Sequence, residues 1–139
     1  MNQVQMSLPA NILSHPLLTQ WFGLDHLPRL TVYTGKVELG QGIQTALRQI
    51  AAQELGLDLH QIHWVAGNTT VAPNEWYTAG SLSIENGGAA LKSALGFARW
   101  LFLQAAAKNL GVAVGLIEIR QDGKSLSFKS PALIKYGPI

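Results

Sequence analysis

Cysteine is absent from all 139 residues. That excludes a disulfide, a thiolate zinc site and a thiolate-ligated iron–sulfur cluster within the chain, so any redox centre of that kind has to come from a partner. Charge is scarce too: Asp, Glu, Lys and Arg make up 13% of the sequence, about half the share of an ordinary globular protein. So little charge suits a surface covered by further protein, although a small, weakly soluble monomer would share the composition. Ten basic against eight acidic side chains leave a net charge of +2. The basic residues are dispersed, with no cluster and no interleaved aromatics, and nucleic-acid binding gains no support. A long unbroken apolar run is missing as well. The most apolar stretch, Ala89 to Leu110, is interrupted by Lys92, Ser93, Arg99, Gln104, Lys108 and Asn109, too much polarity for a membrane span, and reads as a buried helix. The first residues lack the cationic start and apolar core of a secretory signal and contain no twin arginine, which makes the cytoplasm the expected location.

The length fits one ordinary domain. Residues 1–28 carry Pro9, Pro16 and Pro28 without sustained periodicity and read as an irregular lead-in that packs Leu17, Leu18, Trp21 and Phe22 on this domain or on a neighbour. Residues 29–139 read as a single lobe. Arg29 to Tyr33 alternates as a strand does, Thr34-Gly35-Lys36 turns, and extended structure is expected again over Val37 to Leu39. Gly40-Gln41-Gly42 breaks it, and Ile43, Leu47, Ile50, Ala51 and Leu55 then recur at helical spacing until Gly56 supplies a stop. Ile62 to Ala66 is a second apolar strand. After a polar loop containing Pro73, a long helix is predicted from about Ile84 to Asn109, its inner stripe Leu91, Ala94, Leu95, Ala98, Leu101, Phe102 and Ala105. Leu116 to Arg120 and Leu126 to Phe128 flank the Asp122-Gly123 pair and predict a hairpin. Strand, helix, strand, helix and hairpin together suggest a two-layer α+β domain, with a small mixed β-sheet and two main helices on one face.

Two loops stand out chemically, because each carries glycine and leads directly into a helix. Free amides and the positive helix end favour phosphate at such places. In the first, Gly40 and Gly42 bare the backbone on either side of Gln41, whose amide offers both a donor and an acceptor. In the second, Thr78, Ser81 and Ser83 set three hydroxyls around Gly80 as the long helix begins. An ordinary alternative stays open: the glycines are turn residues, and Ser81 or Ser83 is an N-cap. Neither loop fits the Walker A or dinucleotide fingerprint. His60 and His63 fall at the edge of a strand where alternate side chains face opposite ways, which disfavours a shared metal. Glu38, Glu54, Glu75 and Glu85 form no obvious pair and read as solvated or capping carboxylates, Glu38 being the most suggestive because it precedes the glycine loop. Ser81 has no nucleophile elbow around it. The scattered Trp21, Trp64, Trp76 and Trp100 suit core or interface packing rather than a ligand cage.

The run Thr34-Gly35-Lys36-Val37-Glu38-Leu39-Gly40-Gln41-Gly42-Ile43-Gln44-Thr45-Ala46-Leu47 resembles the Gly-Gln-Gly segment of molybdopterin-binding subunits in the xanthine dehydrogenase and aldehyde oxidase family. It is most similar to the isoquinoline 1-oxidoreductase and nicotinate dehydrogenase branch. The resemblance continues through residues 49–55, Gly67-Asn68-Thr69, Pro73-Asn74-Glu75 and Thr78-Ala79-Gly80-Ser81-Leu82-Ser83-Ile84, in family order, over most of the chain from about Leu17 to Gly123. It implies a subunit that holds molybdopterin, often as its cytosine dinucleotide. A molybdenum centre there hydroxylates a carbon of an aldehyde or N-heterocycle with oxygen from water, and electrons leave through a small [2Fe-2S] subunit. By the same resemblance Gly40, Gln41 and Gly42 contact the cofactor, while Thr78, Ala79, Gly80, Ser81 and Ser83 surround its phosphate or pyranopterin end.

The departures from the family pattern matter equally. Family subunits are several times longer, and their catalytic glutamate lies in a Gly-Glu motif that this sequence does not reach. The substrate-pocket loop with paired glycines is missing too. The expectation is a cofactor-contributing lobe, inactive alone and retaining no molybdopterin by itself, whose site is completed by the remainder of the molybdenum subunit. The alternatives are a non-catalytic remnant and a small-anion-binding or assembly module of the same fold.

Overall fold

The computed structural model describes residues 8–26, 29–79, 82–119 and 126–128. A three-stranded sheet forms its base, in the order β1 (Phe22–Gly23), β2 (Leu30–Thr34), β3 (Ile62–Ala66). β1 runs antiparallel to β2, with Phe22 opposite Val32, and β2 runs parallel to β3, with Val32 opposite Trp64. The sheet is therefore mixed, as the order of elements in the sequence suggests. A parallel pair needs a crossover. In the described chain α1 (Ala10–Ser14) precedes the sheet, and α2 (Ile43–Leu55) supplies that crossover. Its Ile43, Leu47, Ala51 and Leu55 are buried at the expected helical spacing. Gly56 ends it in the left-handed conformation (φ 70°), and the Leu57 N–H reaches back to the Ala52 carbonyl at 3.0 Å.

The long helix α3 (Ala89–Leu110) packs on α2 and touches β1. Ala90, Leu91, Ala94, Leu95 and Ala98 are buried, so small residues and leucines alternate where the two helices meet. The predicted stripe fails further along: Leu101 is 40% exposed, Phe102 39%, and Ala105 is exposed too. At 1.5 Å per residue, a helix of 22 residues outruns one of 13, and the C-terminal half of α3 extends past its neighbour. Phe102 makes an edge contact with Phe22 (centroids 5.7 Å). Near the far end Ala107 and Ile117 are buried again, where the hairpin of β4 (Ile117–Ile119) and β5 (Leu126–Phe128) meets α3. The Asp122-Gly123 turn lies outside the described residues.

Two further expectations need correction. Val37 to Leu39 belongs to no strand, because its backbone groups pair with side chains: the Thr78 hydroxyl accepts the Val37 N–H, and the Gln41 amide takes both the Leu39 N–H and the Val37 carbonyl. The long helix also opens on a π-helical turn, Ser83–Gly88, instead of regular α-helix. In the lead-in, α1 is followed by a 3₁₀ turn over Leu18–Gln20 and by β1. Trp21 and Phe22 lie in the core of this domain beside Val32, Leu47 and Leu91, whereas Leu17 is exposed. Among the described residues, no helix is long and apolar enough to cross a membrane.

Candidate functional site

Strand β2 ends where the two loops come together. Beyond Thr34 the chain passes through Gly35, whose missing side chain leaves room for the Pro73 carbonyl and the Glu75 backbone. This close approach buries Glu75 (3% exposed). Its Oε2 accepts from the Thr34 hydroxyl at 2.6 Å and the Gly35 N–H at 2.8 Å, and its Oε1 accepts from Asn11 Nδ2 at 3.2 Å. Burying a charge is costly unless such donors surround it. Lys36, equally buried, donates from Nζ to the carbonyls of Glu75 (2.7 Å) and Tyr77 (3.2 Å). Those two carbonyls flank Trp76, a non-glycine residue at φ 61° whose side chain is 79% exposed. The left-handed backbone at Trp76 is strained, and strain persists only where surrounding bonds over-determine it. A cavity of about 160 Å³ opens here, between Asn11, Lys36, Glu75, Tyr77, Leu82 and Asn86.

The reading of Glu75 as a solvated or capping carboxylate is thus wrong, and Lys36 is a site residue that residue chemistry and spacing do not single out. Their contacts span about 40 positions, beyond any local pattern. The signal that could have found them is the family resemblance, which runs through Lys36 in the segment from Thr34 to Leu47 and through Glu75 in Pro73-Asn74-Glu75.

Val37, one residue on, links the loops directly. Its N–H is bound by Thr78 Oγ1 at 2.9 Å and its carbonyl by Gln41 Nε2 at 3.2 Å. Gln41 and Thr78 therefore sit on either side of one residue. Gly40 and Gly42 both have positive φ (93° and 78°), and a side-chain carbon built on either would meet nothing within 4 Å. The backbone on either side of Gln41 is open and exposed. Glu38 is a cap, in keeping with its place before the glycine loop: Oε1 accepts from the N–H groups of Gly40 (2.9 Å) and Gly42 (2.8 Å), and Oε2 from Gln44 (3.1 Å). Those bonds, the one from Gly42 foremost and that from Gln44 next, hold its pKa below the ordinary 4.5.

On the second loop Thr78 and Ala79 are half-buried, Gly80 and Ser81 lie outside the described residues, and Ser83 is buried at the first position of the π-helical turn. Among the described residues, the Ser83 hydroxyl has no hydrogen-bond partner. An orphaned buried hydroxyl is costly, and π-turns are frequent at functional sites. Gly87, in the same turn, passes so close to Glu75 that a side-chain carbon there would lie 2.8 Å from Oε1. Of the other candidates, His63 faces His26 (centroids 4.1 Å), and burial, then the charges of His26 and Arg29, lower its pKa from 6.5. Of the tryptophans Trp21 is core, Trp64 is partly buried, and Trp76 and Trp100 are exposed. A separate apolar groove of about 510 Å³, between Phe22, Leu24, Ala98, Leu101 and Phe102, involves neither loop.

Residues 22–134 match the molybdopterin cofactor-binding domain family. A nicotinate dehydrogenase subunit of Pseudomonas putida is 38% identical over 102 residues, which is 69% of this chain and 9% of that protein. Aldehyde oxidase 4 of Cavia porcellus is 40% identical over 60 residues, 43% of this chain and 4% of that one. Among solved structures, a copper–molybdenum carbon monoxide dehydrogenase in its carbon monoxide reduced state superposes with a TM-score of 0.56 at 30% identity, covering 73% of this chain and 12% of that chain. This chain thus spans about a tenth or less of these proteins.

Proposed function

This chain belongs to the molybdopterin cofactor-binding domain family, and we propose that it grips the cofactor with the two loops that meet at Val37. The contacts would come from Gly40, Gln41 and Gly42 on one side and from Thr78, Ala79, Gly80, Ser81 and Ser83 on the other. One observation carries this reading: Gln41 and Thr78 hydrogen-bond to the same residue from two loops far apart in sequence. The fit to the cofactor is supported by donors and space. Gln41 keeps one amide hydrogen after its bond to Val37, the glycines beside it present open backbone, and the Ser83 hydroxyl is buried without a partner among the described residues. Gly80 and Ser81 join the set on family resemblance alone.

When bound, molybdopterin supplies the molybdenum centre at which a carbon of an aldehyde or N-heterocycle is hydroxylated with oxygen from water. This chain's own residues bind and orient. Glu75 and Lys36 fix the backbone between the loops, and the Gln41 amide offers a directed donor. The cofactor in this reading is the cytosine dinucleotide form, held jointly with the remainder of a molybdenum subunit of the relatives' length, with a small [2Fe-2S] subunit carrying electrons away, in the cytoplasm. Residues 29–139 act as one lobe, with residues 1–28 as its lead-in. A non-catalytic remnant would share the fold. A free-standing anion module finds less support, since the amides opening α2 are already taken by Glu38.

The test is metal analysis of the purified chain, before and after mixing with the remaining portion of such a subunit. Little or no molybdenum is expected alone, with metal retention and dye reduction restored on mixing, and Gln41→Ala lowering retention in the mixture. Stoichiometric molybdenum and turnover in the pure chain, or full retention by Gln41→Ala, would overturn the reading.

A further inference from the structure

Glu38 is not among the cofactor contacts proposed above, yet its carboxylate does what a bound phosphate would do at a helix start. The first amides of a helix lack intrahelical partners and sit at its positive end, so they are the donors an incoming phosphate seeks. At the entrance of α2, the N–H groups of Gly40 in the loop, of Gly42 at the N-cap and of Gln44 in the first turn are bound by the two oxygens of Glu38, at 2.8 to 3.1 Å. A phosphate arriving there would meet a charge of its own sign, with three of the nearby donors already engaged. The side chain of Gln41 is tied to the same short segment, accepting from the Leu39 N–H and donating to the Val37 carbonyl. Glu38 and Gln41 thus brace one loop, the carboxylate from the helix side and the amide from the strand side.

We propose that Glu38 is a positioning residue: it serves as the resident anion of the loop, closes the α2 entrance to phosphate, and fixes Gly40–Gly42 so that the Gln41 amide is presented in one orientation. This rests on the reading that Gln41 faces the cofactor. It deepens that reading, because the Gly-Gln-Gly loop then offers the cofactor a directed amide and bare backbone but no phosphate cradle. Any phosphate group must find its donors away from α2. The lowered pKa of Glu38 agrees, since the amides that hold the carboxylate keep it ionised.

The test uses the full ¹⁵N-labelled chain with inorganic phosphate as the probe. In the wild type, the amide signals of Gly40, Gly42 and Gln44 should not respond to phosphate. On acidification at constant salt, those of Gly42 and Gln44 should follow one protonation below the ordinary carboxylate range. In Glu38→Gln the same amides should move saturably with phosphate, and the paired side-chain NH₂ signals of Gln41 should drift toward free-glutamine positions. If the substituted chain fails to fold, the wild-type acid titration still decides. A wild type whose α2 amides respond to phosphate, amides that sense no low carboxylate, or an undisturbed Gln41 in folded Glu38→Gln would each overturn the proposal. Failure of the cofactor reading shows up elsewhere, as full molybdenum retention by Gln41→Ala while the wild-type amides still ignore phosphate and still follow the low carboxylate.

Discussion

At the start of α2 the nearby carboxylate is exposed and borrowed from the preceding residues, whereas the turn that opens α3 passes over a carboxylate buried beneath it. Glu38 sits in solvent and binds the amides of its own helix. Glu75 binds the end of β2 and α1 and lies against Gly87. One is a local brace between residues six apart or fewer; the other ties together segments 40 or more apart in sequence. A local brace sets the shape of a loop, while a buried long-range anchor sets where two loops lie relative to each other. Removing Glu75 should therefore have the largest effect. Glu75→Ala strips the Gly35 N–H, the Thr34 hydroxyl and Asn11 of their acceptor, and bonds to charged groups are worth about 1.5–3 kcal/mol each. A loss of about 3 kcal/mol or more in urea unfolding is expected. A drop under roughly 1 kcal/mol would mean that Glu75 is not the anchor between the loops.

The glycines sharpen the contrast with smaller effects. Gly87 has an ordinary backbone, but a methyl group there would press on Glu75 Oε1 at 2.8 Å and on Lys36 Cε at 3.3 Å. Glu75 is held by three donors and cannot easily yield, so Gly87→Ala should cost about 1–3 kcal/mol by overpacking. Gly42 is the reverse: open space around it, but φ of 78°. Gly42→Ala should cost roughly 1 kcal/mol from left-handed strain alone, with no coupling to a Glu75 substitution in a double-mutant cycle. Coupling should appear for Gly87→Ala with Glu75→Ala, because deleting the carboxylate removes the clash. Equal coupling for both glycines would erase the distinction.

Sequence patterns are legible where the determining contacts are local. The helical spacing in α2, the Gly56 stop, the alternation of β2 and β3, and the glycine loops are all readable, because each depends on neighbours a few positions away. The inner stripe of α3 is readable through Ala98 and fails at Leu101, Phe102 and Ala105. Periodicity gives the face of a helix, but not where its neighbour ends. Val37 to Leu39 has the alternating apolar residues of a strand, and side chains from Thr78 and Gln41 claim its backbone instead. Of the candidate site, Gly40, Gln41, Gly42 and Thr78 are legible as loop chemistry. Lys36, Glu75 and Asn11, which join the loops, are not: a lysine and a glutamate about 40 positions apart look like any surface charges until the fold buries them.

Ser83 carries the smallest stability effect and separates holding a fold from holding a ligand. Its hydroxyl is buried at the turn over Glu75 and unpaired among the described residues, which makes it a desolvated polar group in the free chain. Ser83→Ala keeps the volume nearly unchanged and removes that penalty. The free chain should unfold at the same urea concentration or slightly higher, a gain of up to about 1 kcal/mol. If the hydroxyl is reserved for the cofactor, the same substitution should lower molybdenum retention once the remainder of a molybdenum subunit is supplied. Stability and retention would then move in opposite directions, as expected of a residue selected for a ligand rather than for the fold. Loss of stability in the free chain would instead identify Ser83 as an ordinary helix-start residue satisfied by its own backbone, and would leave Gln41 and Thr78 to carry the cofactor contact between them.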